Sequence, residues 1–135
     1  MDKRGKFTGK HALVVDDIQF NRVIFVRMLQ NLGFAVEEAG GGSEALDLYD
    51  SRKGGYALIL VDVVMPSMDG YELTRAIRNR TDGKQAKIVI ISAAATADHS
   101  KIRKTALSNG ADDFLVKPID RRKLSTVVGK LCKES

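Results

Sequence analysis

The chain has one cysteine, no tryptophan, two prolines and two histidines among 135 residues. A lone cysteine, Cys132, excludes an internal disulfide and a cysteine-cluster metal centre. His11 and His99 have no carboxylate or cysteine at ligand spacing, so no histidine-based zinc site is expected. No apolar run approaches the ~20 residues that span a bilayer. The first ten residues are charged and carry no apolar stretch, which is not the pattern of a secretory leader; the expected location is the cytoplasm. The hydrophobic content of 44% and charged content of 29% exclude a disordered or fibrous chain. The length suits one domain.

The formal net charge is +5, and its placement matters more than its size. Residues 1–10 hold four bases and one acid, and residues 120–135 hold five bases and two acids. The stretch between them carries one excess acid. Basic ends around a near-neutral middle, without a basic face bearing stacking aromatics, do not describe a nucleic-acid domain. The ends read as solvated tails: residues 1–10 at the front and 133–135 at the back, with one domain over 11–132.

Apolar runs alternate with helical patterns along that domain. Strands are expected at His11–Val15, Phe34–Glu38, Ala57–Val61, Lys87–Ile91 and Phe114–Val116. Helices are expected over 18–32, 44–53, 69–80, 98–109 and 120–132. In the first helix Ile24, Met28 and Leu32 recur at spacing four and define the expected core face. Phe20, Val23 or Val26 is then left partly exposed. Gly33 suits the helix end, and Ser43 suits the start of the second helix. Five buried strands, each followed by a helix, imply an α/β fold: a doubly wound (βα)5 parallel sheet.

In such a sheet, ligands bind beyond the carboxyl ends of the strands. The residues there are Asp16 and Asp17 after the first strand, Asp62 after the third, Ser92 after the fourth and Lys117 after the fifth. Each has an ordinary reading alone, as a helix cap, a loop acid, a turn hydroxyl or a solvated lysine. All of them meeting at one edge point to a site. Three carboxylates repel one another, and a divalent cation with oxygen ligands relieves that; Mg²⁺ fits, with Mn²⁺ as a substitute. Lys117 and Ser92 would flank a phosphoryl group, by charge and by hydrogen bond. With no cysteine, histidine or activated serine at hand, a carboxylate must be the nucleophile. Asp62, a single acid ending the most apolar strand, is the natural choice, and Asp16 and Asp17 are the natural metal binders. Phosphate loops of the GxxxxGK[ST] and GxGxxG types are absent, as is a nucleophile elbow.

These motifs together, Asp16-Asp17, Asp62 through Met65-Pro66 to Asp69-Gly70, Ser92-Ala93 and Lys117-Pro118, resemble the receiver domain of two-component response regulators. The resemblance covers roughly His11 to Leu131. It implies the flavodoxin-like strand order 2-1-3-4-5 and assigns Asp62 as the acceptor of a phosphoryl group from a phosphohistidine. It further implies that Asp17 and Asp62 ligate Mg²⁺ directly, Asp16 through water, with the Val64 carbonyl completing the protein ligands. Lys117 would contact the phosphoryl oxygens, and Ser92 and Phe114 would form the switch. Val64 and Ala94, two residues after Asp62 and Ser92, occupy positions that tune water access; both are apolar, which implies slow self-dephosphorylation. The segment Asp16 to Arg22, with Gly110 to Phe114, resembles receivers attached to hybrid sensor kinases. That implies a histidine kinase or a histidine phosphotransfer domain as partner. Such a domain catalyses only its own phosphorylation and dephosphorylation. It is a monomer by default, with phosphorylation-dependent pairing a property of the family.

Two other readings stay beside this one. An aspartyl-phosphate phosphatase of the haloacid-dehalogenase type needs two acids separated by one residue, whereas Asp16 and Asp17 are adjacent and Ile18 follows. A degenerate receiver, working only by docking, would not need the complete acid set.

Overall fold

A computed structural model describes residues 5–53, 55–80, 83, 85–93 and 98–134. Ala94 and residues 1–4 lie outside the described residues. The elements alternate along the chain: β1 His11–Val15, α1 Gln19–Asn31, β2 Ala35–Ala39, α2 Gly42–Ser51, β3 Leu58–Asp62, α3 Gly70–Arg78, β4 Lys87–Ser92, α4 His99–Ser108, β5 Asp113–Val116 and α5 Arg121–Leu131. All strand pairs are parallel, in the order β2-β1-β3-β4-β5. This is the flavodoxin-like α/β sheet expected from the sequence.

The strands read as continuous apolar runs because both sheet faces are covered. Side chains alternate between two cores. Leu13, Val15, Ile59, Val61, Ile88 and Ile90 pack with Ala45 and Tyr49 of α2, Leu73 and Ile77 of α3 and Ala106 of α4. Ala12, Val14, Leu58, Leu60, Val89 and Ile91 pack with Phe25 and Leu29 of α1 and Leu124 and Val128 of α5. The period of two along each strand therefore assigns α1 and α5 to one face and α2, α3 and α4 to the other.

Three expectations need correction. The core face of α1 is Phe25 and Leu29, not the Ile24–Met28–Leu32 stripe. The two stripes lie one residue, about 100°, apart, and only one can centre on the sheet. Met28 and Leu32 flank the second core, as does Val26, while Ile24 is 38% exposed. The start of α2 is capped by Gly41 rather than Ser43, which sits inside the helix. Finally, Gly5–Lys10 is not a solvated tail. Phe7 is buried and stacks on Phe34 with ring centroids 4.9 Å apart. Its amide donates to the Leu32 carbonyl at 2.9 Å, and the Ala35 amide donates to the Lys10 carbonyl at 2.9 Å. The chain passes tightly there: a Cβ on Gly5 would stand 2.3 Å from the Leu32 carbonyl carbon.

Candidate functional site

The strand order reverses at β1, so the loops after β1 and β3 diverge to opposite faces and leave a crevice between them. The register fixes what lines it. Val15 pairs with Val61, which places Asp16 beside Asp62, each one residue further on. Ser92 pairs with Val116, and the Lys117 amide donates to the Ser92 carbonyl at 2.7 Å. Asp16, Asp17, Asp62, Ser92 and Lys117 are thus carried to one sheet edge by backbone pairing.

Asp16, Asp17 and Asp62 each present a carboxylate oxygen within 4.8 Å of the other two. Asp16 and Asp62 are buried, and Asp17 is exposed. Asp16 Oδ1 accepts from the Ile18 amide at 2.9 Å. It does not cap α1, whose N-cap is Ile18 with no side-chain cap. Among the described residues, Asp16 Oδ2 is buried with no hydrogen-bond partner. A buried, orphaned carboxylate oxygen costs free energy unless a cation or donor meets it. Asp62 Oδ2 faces Lys117 Nζ at 3.3 Å, and the Val64 amide reaches Asp62 Oδ1 at 3.3 Å. Burial, followed by the neighbouring Asp16 charge, pushes the Asp62 carboxyl above its ordinary value; Lys117 and the Val64 amide pull the other way without cancelling it. Hard oxygen donors crowded with like charge and one unsatisfied lone pair suit Mg²⁺ or Mn²⁺.

The loop after β3 is built for close approach. Asp69 caps α3 in a reciprocal capping box with Glu72. The Gly70 amide donates to the Val63 carbonyl at 2.9 Å. A Cβ on Gly70 would lie 2.4 Å from the Asp62 carbonyl oxygen, so only glycine lets the helix start here. Met65 is buried, while Val64 is 73% exposed at the mouth of the site. Phe114 is half-buried on β5 and packs against the first core. Its ring meets the edge of His99 at 6.1 Å, and the Arg103 guanidinium lies 5.3 Å over it. The sequence reading missed both of these α4 partners, because nothing in a local pattern pairs α4 with the middle of β5. It also missed Arg22, whose guanidinium binds the Asp16 carbonyl at 2.7 Å.

Beside the site, the start of α1 exposes Ile18, Phe20, Val23 and Ile24. A groove of about 400 Å³ lined by Asn21, Ile24, Phe25, Lys117, Pro118 and Ile119 joins this patch to Lys117. No helix among the described residues is long and apolar enough to cross a membrane.

Residues 12–129 match the response regulator receiver domain family. A probable histidine kinase 2 of rice (Oryza sativa subsp. indica) is 34% identical over 137 residues, which cover 93% of this chain and 13% of the kinase. Two-component response regulator 24 of Arabidopsis thaliana is 36% identical over 120 residues, covering 89% of this chain and 82% of that protein. Among solved structures, the receiver domain of a Pseudomonas aeruginosa sensor histidine kinase, with magnesium coordinated in its active-site cleft, superposes with a TM-score of 0.78. It is 30% identical, and the match covers 92% of this chain and 98% of that one. With a parallel sheet in the order 2-1-3-4-5 and an acid cluster at the strand-order reversal, the chain belongs to the response regulator receiver domain family of two-component signalling.

Proposed function

We propose that this chain is a working phosphoacceptor: it takes a phosphoryl group from a phosphohistidine onto Asp62. The observation that carries the reading is the buried Asp62 carboxylate, set between two further acids within 4.8 Å and a lysine ammonium at 3.3 Å. An Asp62 oxygen attacks phosphorus, the P–O bond forms as the P–N bond breaks, and the imidazole leaves with the electron pair. Asp16, Asp17, Asp62 and the Val64 carbonyl would hold Mg²⁺, which when bound neutralises charge on the transferring group. Lys117 supplies a second positive charge at Asp62 Oδ2. Ser92, at the end of β4, would hydrogen-bond the phosphoryl group, and Phe114 would move with it. That is a local charge change biasing a two-state element.

The donor is a histidine kinase or a histidine phosphotransfer domain. In support, the exposed Ile18–Phe20–Val23–Ile24 surface and its groove lie beside Lys117, where a donor must approach. An apolar patch rimmed by polar groups suits a helical partner. In this reading the phosphoaccepting unit runs over 11–132, with Gly5–Lys10 packed onto it, and the free protein is a monomer.

Intact mass after incubation with Mg²⁺ and acetyl phosphate tests the proposal. Wild type should gain one phosphoryl group, whereas Asp62→Asn or a chelator should abolish the gain. If wild type gains no mass and binds no beryllofluoride, the chain is a degenerate receiver that acts by docking alone.

A further inference from the structure

We infer that Arg22 is a positioning residue for the acid pair that opens the site. The inference rests on the proposed cation-binding role of Asp16, Asp17 and Asp62. Arg22 is the fourth residue of α1, just after the turn that carries Asp16 and Asp17. Its Nη1 donates to the Asp16 carbonyl at 2.7 Å, and its Nε donates to Glu38 Oε1 at 2.9 Å. Glu38 belongs to β2 and pairs in register with Val14 of β1. One guanidinium therefore ties the Asp16 peptide to the neighbouring strand. The Asp16 side chain is fixed from the other end by the Ile18 amide at 2.9 Å, and its own amide by the Ala39 carbonyl at 3.2 Å. The Arg22 side chain is only 17% exposed, so the fork is held in place.

The arrangement makes two opposed demands. As a charge bound to the Asp16 carbonyl, Arg22 would weaken a divalent cation's hold on the acids. As a fork, it fixes the backbone that aims Asp16 and Asp17 and would strengthen that hold. A lysine keeps the charge but cannot donate in two fixed directions from one planar group. The sign of the change on removing Arg22 therefore tells which role dominates. Outer partners of metal ligands typically matter by about 10–100-fold in affinity.

The test is Mn²⁺ binding, read directly from the loss of the free-ion EPR signal, on wild type, Arg22→Gln, Arg22→Lys, Glu38→Gln and Asp17→Asn. Amide resonances of Asp17 and Ile18 are followed in the metal-free proteins. Both Arg22 variants should bind about tenfold more weakly, with Glu38→Gln shifted in the same direction by less. The Asp17 and Ile18 resonances should move or broaden while the β3 and β4 resonances stay in place, which separates a loosened turn from a damaged fold. Unchanged or tighter binding in Arg22→Gln would overturn the inference, as would full recovery in Arg22→Lys. If wild type itself bound no Mn²⁺, or bound it as well as Asp17→Asn does, the cation role of the acids would fall first and the inference with it.

Discussion

Replacing Asp62 by asparagine should stabilise the metal-free protein while abolishing the proposed phosphoacceptor function. Two unit charges 4.8 Å apart, the outer limit for these carboxylates, repel by about 3.5 kcal/mol at an effective dielectric near 20. The Asp62–Lys117 pair at 3.3 Å attracts by about 5 kcal/mol on the same scale. That attraction is discounted because the Lys117 side chain is 27% exposed while that of Asp62 is 6% exposed. Taking the buried carboxylate out of water costs a further several kcal/mol. The balance leaves the ionised state of Asp62 unfavourable, in agreement with its raised pKa and burial as the leading cause. Asparagine keeps the shape and removes the charge. A gain on the order of 1 kcal/mol follows, or roughly 4 °C in Tm for a domain of this size.

The pH dependence has a definite sign. The folded pKa of Asp62 lies above its unfolded value, so the folded state binds the proton more tightly. The penalty is fully present above the folded pKa and fades as pH falls through it toward the ordinary carboxylate range. The advantage of Asp62→Asn should therefore be largest at neutral pH and shrink in acid. A divalent cation should reverse the order, since ligand at a hundred times its Kd stabilises wild type by about 2.7 kcal/mol. Thermal melts of both proteins at neutral and acid pH, each with chelator or with Mg²⁺, read all of this. A lower Tm for Asp62→Asn in chelator at neutral pH would show that the Lys117 contact outweighs burial and repulsion, and would refute the reasoning.

Gly70→Ala should cost about 2–4 kcal/mol in urea unfolding, because its Cβ would meet the Asp62 carbonyl oxygen at 2.4 Å and the backbone there has to shift. Phe7→Ala should cost about 3 kcal/mol by the same measurement, the usual loss for an aromatic buried in a core; a change below 0.5 kcal/mol would mean the segment before β1 is dispensable. Under the proposed function the aspartyl phosphate should hydrolyse slowly, because Val64, exposed at the mouth of the site, has no group that can orient a water. A lifetime as short as that of fast chemotaxis-type receivers, followed by mass, would count against this.

The frame was legible because strands covered on both faces carry little else than apolar residues, and polar residues stop them at their ends. The expected limits of β1 coincide with the observed ones, and those of the other strands lie within one residue of the observed ends. The site was legible for the same reason: in a parallel sheet, the residue after each strand is also a residue at the edge. What failed was information carried by contacts distant in sequence. Two adjacent apolar stripes on α1 cannot be ranked without the sheet they face; the spacing points Ile24 inward, whereas the sheet buries Phe25. Phe7 sits among lysines and glycines, where charge dominates any local reading, yet its partner is Phe34. Arg78 looks like one more cation at the end of α3. It donates to the carbonyls of Gly110, Gly83 and Ala86 and pairs with Asp112, tying the loop before β4 to the loop before β5.

The acids at the sheet edge are held in an unfavourable arrangement by a frame that cannot yield. β1 and β3 pair through buried residues on both faces, so Asp16 and Asp62 cannot separate without breaking the register of Val15 and Val61. Arg22 and Glu38 brace the turn after β1, and Gly70 brings α3 against the backbone of Asp62. The rim on the β5 side is built differently. Phe114 is only half-buried, and its outer partners are an arginine and a histidine of α4. That helix buries only Ile102 and Ala106. Where a packed core is rigid, a change in charge at its edge moves the element with the least buried apolar area. Under the proposed function, neutralising the acid cluster therefore acts on the Phe114–α4 contact and leaves the α1 side, where a donor would dock, in place.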